Sequence, residues 1–181
     1  MNNSKISVRY AKALFQIATQ NGCEDQVRDD MSNILTCINT MPDFKILLES
    51  PVLADDVKIE TFKQMFGQNI CPLTLDFFKL LVKNKRENYL KIICLNYSGY
   101  YNRNKNITKV LITSAVESSS ELNNSIKDLV IKSNPGCKVE LSTQIDNSII
   151  GGVIINVDDK QYDASVKTQL SIFKDKLINN K

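Results

Sequence analysis

The sequence pattern changes from helical to β-rich at the polar run Asn102-Arg103-Asn104-Lys105-Asn106, which is followed by a β-rich segment at residues 107–116. A polar run of this kind is typical of a connection between elements. The segment after it is rich in β-branched residues and lacks the three-to-four-residue apolar spacing of a helix. We therefore predict two domains, one at residues 1–105 and one at residues 106–181. The predicted fold class is mainly α: an N-terminal six-helix bundle followed by a small C-terminal α+β module.

Before this boundary, apolar residues recur at helical spacing between short stop signals. In the first segment Tyr10, Ala13, Leu14 and Ile17 share one side of a helix, which Asn21-Gly22 ends. Prolines and glycines mark the limits of the later segments. The predicted helices cover residues 4–20, 24–40, 43–49, 55–66, 72–85 and 87–102.

After the boundary, shorter apolar runs alternate with helical patterns. Asp158-Asp159-Lys160 predicts a turn that sends the chain back toward Tyr162. The predicted strands cover residues 107–116, 137–145 and 149–157, and the predicted helices cover residues 121–132 and 164–178. This order of elements is what defines the α+β module.

Composition excludes several classes of function. The 181 residues carry a net charge of +3 and contain no histidine, which rules out Ser-His-Asp triads, Cys-His pairs and histidine metal ligands. The five cysteines are odd in number, are far apart and form no Cys-x-x-Cys pair, so we interpret them as reduced core residues. We expect no cofactor and no metal. No apolar window approaches the length of about 18 residues that a membrane span needs, so we expect no direct membrane span.

Two motifs could suggest a ligand-binding site, but each is better explained by a structural role. Gly151-Gly152 is the only glycine pair, but neither Gly-Lys-Ser/Thr nor Gly-x-Gly-x-x-Gly accompanies it. We interpret the pair as a strand bulge or a close backbone approach. Asp158, Asp159 and Asp163 lack the glycine and the distal glutamate of a calcium loop, and fit a turn and a helix start.

A basic run across the fifth and sixth helices raises the question of nucleic acid. It comprises Lys79, Lys83, Lys85, Arg86 and Lys91. We interpret it as a solvated face, and Tyr97, Tyr100 and Tyr101 as core residues rather than a base-stacking platform. The alternative is an RNA-binding helical-bundle protein, which predicts a salt-sensitive affinity for RNA. An enzyme that uses a lone cysteine or a carboxylate pair is a second alternative, for which the sequence supplies no constellation.

Three stretches carry a family resemblance. They are Arg9-Tyr10-Ala11-Lys12-Ala13-Leu14-Phe15 with Ile17-Ala18, Leu80-Leu81 with Lys83-Asn84-Lys85-Arg86, and Ile150-Gly151-Gly152-Val153-Ile154-Ile155 with Asp159-Lys160 and Asp163-Ala164-Ser165-Val166. In order and spacing the whole chain resembles the ATP synthase delta subunit family, which includes the mitochondrial oligomycin-sensitivity-conferring protein. It departs from the family at Lys85 and Asp158, where glycine is usual, and at Lys167, where arginine is common.

The resemblance implies a non-catalytic stator subunit of a proton-translocating ATP synthase. Such a subunit links the catalytic head to the peripheral stalk, so that rotor torque drives ATP synthesis instead of turning the head. Since no presequence is recognisable, we expect a peripheral location at the cytoplasmic face of the bacterial inner membrane, as part of the ATP synthase complex; the sequence leaves open whether the chain is bacterial or organelle-encoded. No nucleic-acid partner is expected.

The partners implied are the N-terminal helix of an alpha subunit and the b subunits of the stalk. The first domain would hold the alpha helix in a groove between its first and fifth helices, as in other helix-in-groove recognition. The candidate groove residues are Tyr10, Ala13, Leu14, Ile17, Leu81, Asn84 and Arg86. Each of these can equally be a core residue, and the sequence leaves both possibilities open. The candidate stalk residues on the last helix are Leu170, Phe173 and Leu177.

Overall fold

The computed structural model describes residues 2–50, 53–67, 70–116, 119–158 and 160–179, with side chains described from residue 5 to residue 175 of these ranges. The chain divides into two compact units, Met1–Asn102 and Arg103–Lys181. The predicted boundary after residue 105 lies slightly later than this division. The predicted fold class, mainly α with a C-terminal α+β module, is confirmed.

Among the described residues of the first unit there are six α-helices. They are α1 (Asn2–Gln20), α2 (Glu24–Thr40), α3 (Pro42–Glu49), α4 (Asp55–Phe66), α5 (Pro72–Lys83) and α6 (Leu90–Asn104). A short 3₁₀ turn, Glu87–Tyr89, precedes α6. Pro42 and Pro72 each occupy the first turn of a helix, where the missing proline N–H removes no hydrogen bond.

The end of α5 differs from the prediction. The helix stops at Lys83 because the next residues form a Schellman turn: the N–H of Lys85 donates to Val82 O and the N–H of Arg86 donates to Leu81 O, both at 2.9 Å. Lys85 adopts a φ of 57°, the left-handed conformation in which glycine is favoured. The lysine thus adopts a conformation that usually calls for glycine, and the turn forms.

The core of the first unit is aromatic and aliphatic and also contains buried polar contacts, among them an ion pair between Lys58 and Glu87. Phe62 and Phe78 stack with ring centroids 3.8 Å apart, which joins α4 to α5. The Asp30 carboxylate on α2 accepts hydrogen bonds from the Cys71 N–H at 2.9 Å and the Thr74 hydroxyl at 2.7 Å. Asp30 therefore caps the N-terminus of α5 from a neighbouring helix and fixes the position of α5 in the bundle.

In the second unit, the described residues form a four-stranded sheet and two α-helices. Its elements are β1 (Ile107–Ser114), α7 (Ser120–Ser133), β2 (Lys138–Ile145), a 3₁₀ turn at Asn147–Ile149, β3 (Gly152–Val157), β4 (Lys160–Ser165) and α8 (Val166–Asn179). The strand order is β2-β1-β3-β4. Strands β1 and β2 are parallel and are connected through α7, while β3 pairs antiparallel with β1 and β4.

One element of this unit corrects the sequence prediction. A helix was expected from residue 164, but residues 160–165 form β4, and α8 begins at Val166. The register of β4 pairs Tyr162 with Ile155 and Ala164 with Val153, so β3 provides the backbone partners that extend the sheet. On the other side of β3, Val110 and Ile112 of β1 pack against Ile126 and Val130 of α7 to form the core.

Candidate functional site: a groove between α1 and α5

An apolar groove of about 730 Å³ lies between α1 and α5. Its lining residues are Arg9, Tyr10, Ala13, Leu14 and Ile17 from α1, Leu73, Asp76, Phe77 and Leu80 from α5, and Asn84 and Arg86 just beyond α5. The α1 residues recur at intervals of three and four, which places them along one side of the helix. Leu14 is buried in the floor of the groove, while Ile17 and Leu80 are 44% and 47% exposed.

The structure sorts the seven groove residues predicted from the sequence. Tyr10, Ala13, Leu14, Ile17, Asn84 and Arg86 all line the groove. Leu81 does not, because its side chain is 0% exposed in the core of the bundle. Successive residues of a helix point about 100° apart, and it is the neighbouring Leu80 that faces the groove. The assignment of Leu81 to the groove surface is therefore wrong.

Sequence reasoning missed five residues of the groove. Arg9, Leu73, Asp76, Phe77 and Leu80 also line it. On α5 the interval pattern 73, 77, 80, 84 is the signal that could have found three of them. That signal is masked because α5 carries apolar residues on nearly every side.

Tyr10 is the side chain that organises one end of the groove. Its ring meets Phe77 edge-on, with ring centroids 6.2 Å apart, and so bridges α1 and α5. The Arg86 guanidinium lies over the same Tyr10 ring, 5.7 Å from its centroid. The Tyr10–Phe77 contact fixes the separation of α1 and α5 at this end of the groove. The Tyr10 ring also fixes the position of the Arg86 guanidinium.

The predicted stalk residues lie on an exposed part of α8. Leu170 and Phe173 lie three residues apart on the helix and are 56% and 65% exposed. Ile172, which the sequence reasoning did not select, is also exposed and lies on another side of the helix. The side chain of Leu177 lies outside the described residues.

The predicted structural motif holds the sheet against the start of α8. Gly152 has a φ of +74°, and a Cβ there would lie 2.3 Å from Ala164 O, so a side chain has no room. A Cβ on Gly151 would lie 3.3 Å from a Val166 methyl group. Gly152 therefore lies at a close backbone approach of the kind predicted, whereas Gly151 meets only a side chain.

Asp163 supports the N-terminal cap of α8, in which the Ser165 hydroxyl accepts a hydrogen bond from the Thr168 N–H at 3.2 Å. Its carboxylate accepts hydrogen bonds from the Ser165 N–H and from the Thr168 hydroxyl, both at 2.8 Å. These bonds, first that from Ser165, hold the pKa of Asp163 below its usual value. Asp159, the other acidic residue of the motif, lies outside the described residues. Its neighbour Asp158 adopts a φ of 49°, and its carboxylate accepts a hydrogen bond from the Lys109 N–H at 3.1 Å.

The remaining candidate chemistry has structural explanations. Tyr97 and Tyr101 are buried, and the Tyr97 hydroxyl donates to Glu24 O at 3.1 Å. All five cysteines are free, and burial raises the pKa of the Cys94 thiol to about 12. Within the part of the chain that the structure describes, no group of side chains could hold a metal ion, and no helix is long and apolar enough to cross a membrane.

The fold and the groove define a class: a two-unit protein that presents a helix-sized apolar groove on its helical unit. Comparison with known proteins gives the family. A sequence model of the ATP synthase delta (OSCP) subunit matches residues 6–177. The chain belongs to this family, and it is a stator subunit of the peripheral stalk of an ATP synthase.

Individual relatives agree over nearly the full length. The ATP synthase subunit delta of Flavobacterium psychrophilum is 31% identical over 179 residues, covering 99% of this chain and 100% of the relative. That of Parabacteroides distasonis is 30% identical over 181 residues, covering both chains completely. A chain of the Toxoplasma gondii mitochondrial ATP synthase hexamer has the same fold, with a TM-score of 0.77 at 20% identity over 95% of this chain and 97% of that chain. None of these comparisons supports the RNA-binding alternative.

Proposed function

We propose that the α1–α5 groove binds the N-terminal helix of an alpha subunit of the catalytic head, and that α8 binds the b subunits of the peripheral stalk. The observation that carries the first contact is the groove itself, whose apolar floor and exposed Ile17 and Leu80 fit the apolar side of an amphipathic helix. Ala13 leaves room for close approach of a partner helix. The exposed Leu170 and Phe173 support the second contact.

In this role the chain transmits force and performs no catalysis of its own. One unit holds the head and the other holds the stalk, so the two contacts act in series against the torque of the rotor. A joint that must persist through many turnovers calls for a dissociation constant in the nanomolar range, about −12 kcal/mol. We place the complex at the cytoplasmic face of a bacterial inner membrane, which the bacterial relatives support.

The test is a substitution that fills the groove. Ala13→Arg introduces a long charged side chain among the apolar residues, so we expect the full-length chain to lose at least about tenfold in affinity for the purified catalytic head of the same organism. The readout is the dissociation constant from titration calorimetry. Circular dichroism verifies that the variant remains folded.

Thr19→Arg is the matched control, because Thr19 is exposed, lies about 120° around α1 from Ala13 and does not line the groove. It should bind the head as the unmodified chain does. Unchanged affinity of the Ala13→Arg variant would remove the groove as the head-binding site.

A further inference from the structure

The groove carries a positive charge that the rest of the described structure does not neutralise. Arg9 and Arg86 both line it, beside Tyr10. Among the described residues, no carboxylate oxygen lies within ion-pair distance of either guanidinium. Asp76 is the one acidic residue in the lining, and its carboxylate is already paired with Lys79 at 2.7 Å.

The Arg86 guanidinium is also held in place before any partner arrives. The Schellman turn fixes its backbone through the hydrogen bond to Leu81 O. The Tyr10 ring lies beneath the guanidinium and is itself held against Phe77. A charge whose position is set in advance loses little side-chain entropy on binding, so it can select the charge of a partner.

A helix seated in the groove would exclude water from this end. An unpaired guanidinium that loses water is costly, whereas a guanidinium paired with a carboxylate gains two parallel hydrogen bonds. A neutral or basic side chain at the same place would leave the positive charge uncompensated. The chemistry of the groove therefore points to one kind of occupant.

We propose that the helix that binds between α1 and α5 carries an acidic side chain beside its apolar stripe, and that Arg9 and Arg86 pair with this carboxylate. The inference rests on the proposed function and adds an ionic contact to the apolar one. The apolar stripe of the partner helix becomes buried in the groove, and its acidic residue sets the register of that helix. From Tyr10 to Ile17 the α1 side of the groove covers eight residues and is about 10 Å long. The stripe of the partner thus spans about two helical turns, with the carboxylate at the Tyr10 end.

The experiment measures the affinity of the full-length chain for the purified catalytic head at about 50 mM and about 300 mM salt. Arg86→Gln and Arg9→Gln remove one charge each, and the double variant removes both. We expect the double variant to bind at least about tenfold more weakly at low salt, and the difference to shrink at high salt. Arg86→Lys, which keeps the charge without the planar fork, should fall between the unmodified chain and Arg86→Gln.

Lys83→Gln is the matched control, since it removes one positive charge next to the end of α5 without touching the groove. An equal loss in this control, or binding of the double variant within about twofold of the unmodified chain at both salt concentrations, would overturn the proposal. This failure is distinct from that of the proposed function, in which Ala13→Arg has no effect. If the unmodified chain does not bind the head, both proposals fail.

A charge exchange identifies the partner side chain. Arg86→Glu should weaken binding more than Arg86→Gln does, because it places a negative charge beside the acidic residue. Changing each acidic residue near the N-terminus of the alpha subunit to lysine, one at a time, should restore affinity for the Arg86→Glu chain at a single position. Absence of restoration at every position would contradict a carboxylate on that helix.

Discussion

At the scale of single residues, Gly152 shows how strongly the backbone can dictate identity. It needs glycine for two reasons, a φ of +74° and the 2.3 Å that would separate a Cβ from Ala164 O. Gly136 separates the two effects. Its φ is +85°, but nothing lies within 4 Å of where its Cβ would be.

We therefore predict unequal costs for two alanine substitutions. Gly136→Ala places an alanine in a left-handed backbone conformation without a steric clash, and it should lower the free energy of unfolding by about 1–2 kcal/mol. Gly152→Ala adds a steric overlap with the backbone of β4 and should cost about 3 kcal/mol or more. Both residues lie in the second unit, so the same urea transition, followed by circular dichroism, reports on both. Equal costs would show that β4 moves aside without penalty.

At the scale of elements, the sequence predicts the helices, whose limits depend on local apolar periodicity. It does not predict a strand whose conformation depends on pairing with another strand. The six helices of the bundle follow from apolar spacing and from proline and glycine stops. Strand β4 does not follow, since its apolar residues are only Tyr162 and Ala164 and all of it except Ser165 is exposed. Its pairing with β3, a non-local contact, decides its conformation.

The same distinction explains the groove. The α1 side could be predicted because α1 has one apolar stripe, which includes Tyr10 and Ile17. The α5 side could not, because adjacent apolar residues such as Leu80 and Leu81 differ only in which side of the helix they occupy. Tertiary packing buried one and exposed the other. The charge of the groove was likewise visible only once Arg9 and Arg86 were found together.

The start of α8 gives a pH prediction at this scale. The pKa of Asp163 is lowered from 3.8 by hydrogen bonds from Ser165 and Thr168. A carboxylate with a lowered pKa contributes stability that is present above the ordinary value and is lost as pH falls through the lowered one. We expect Asp163→Asn to lower the melting temperature near pH 6 and to have progressively less effect below about pH 4. Thermal unfolding of both chains across this range is the measurement, and a constant difference down to pH 2 would contradict a stabilising role of the ionised Asp163 carboxylate at the start of α8.

At the scale of the whole molecule, we propose that the two units divide the work of a stator. The candidate head contact lies wholly in the first unit, and the candidate stalk contact lies wholly in the second. The weaker of the two contacts limits the torque that such a chain can resist, because the same torque acts on both. Substitutions in one unit should therefore abolish coupling without affecting the other contact.

The final prediction compares one substitution in each unit. The Ala13→Arg chain should no longer bind the catalytic head but should still bind the soluble domain of the b subunits. Phe173→Asp should do the reverse, because it places a charge where an apolar contact forms. Ser171→Asp, on a different side of α8, is the control for added charge. In membrane vesicles either loss should abolish ATP-driven proton pumping while the head continues to hydrolyse ATP, since hydrolysis needs no connection to the stalk. If Phe173→Asp keeps both binding and pumping, α8 is not the stalk contact, and another surface of the second unit must carry the load.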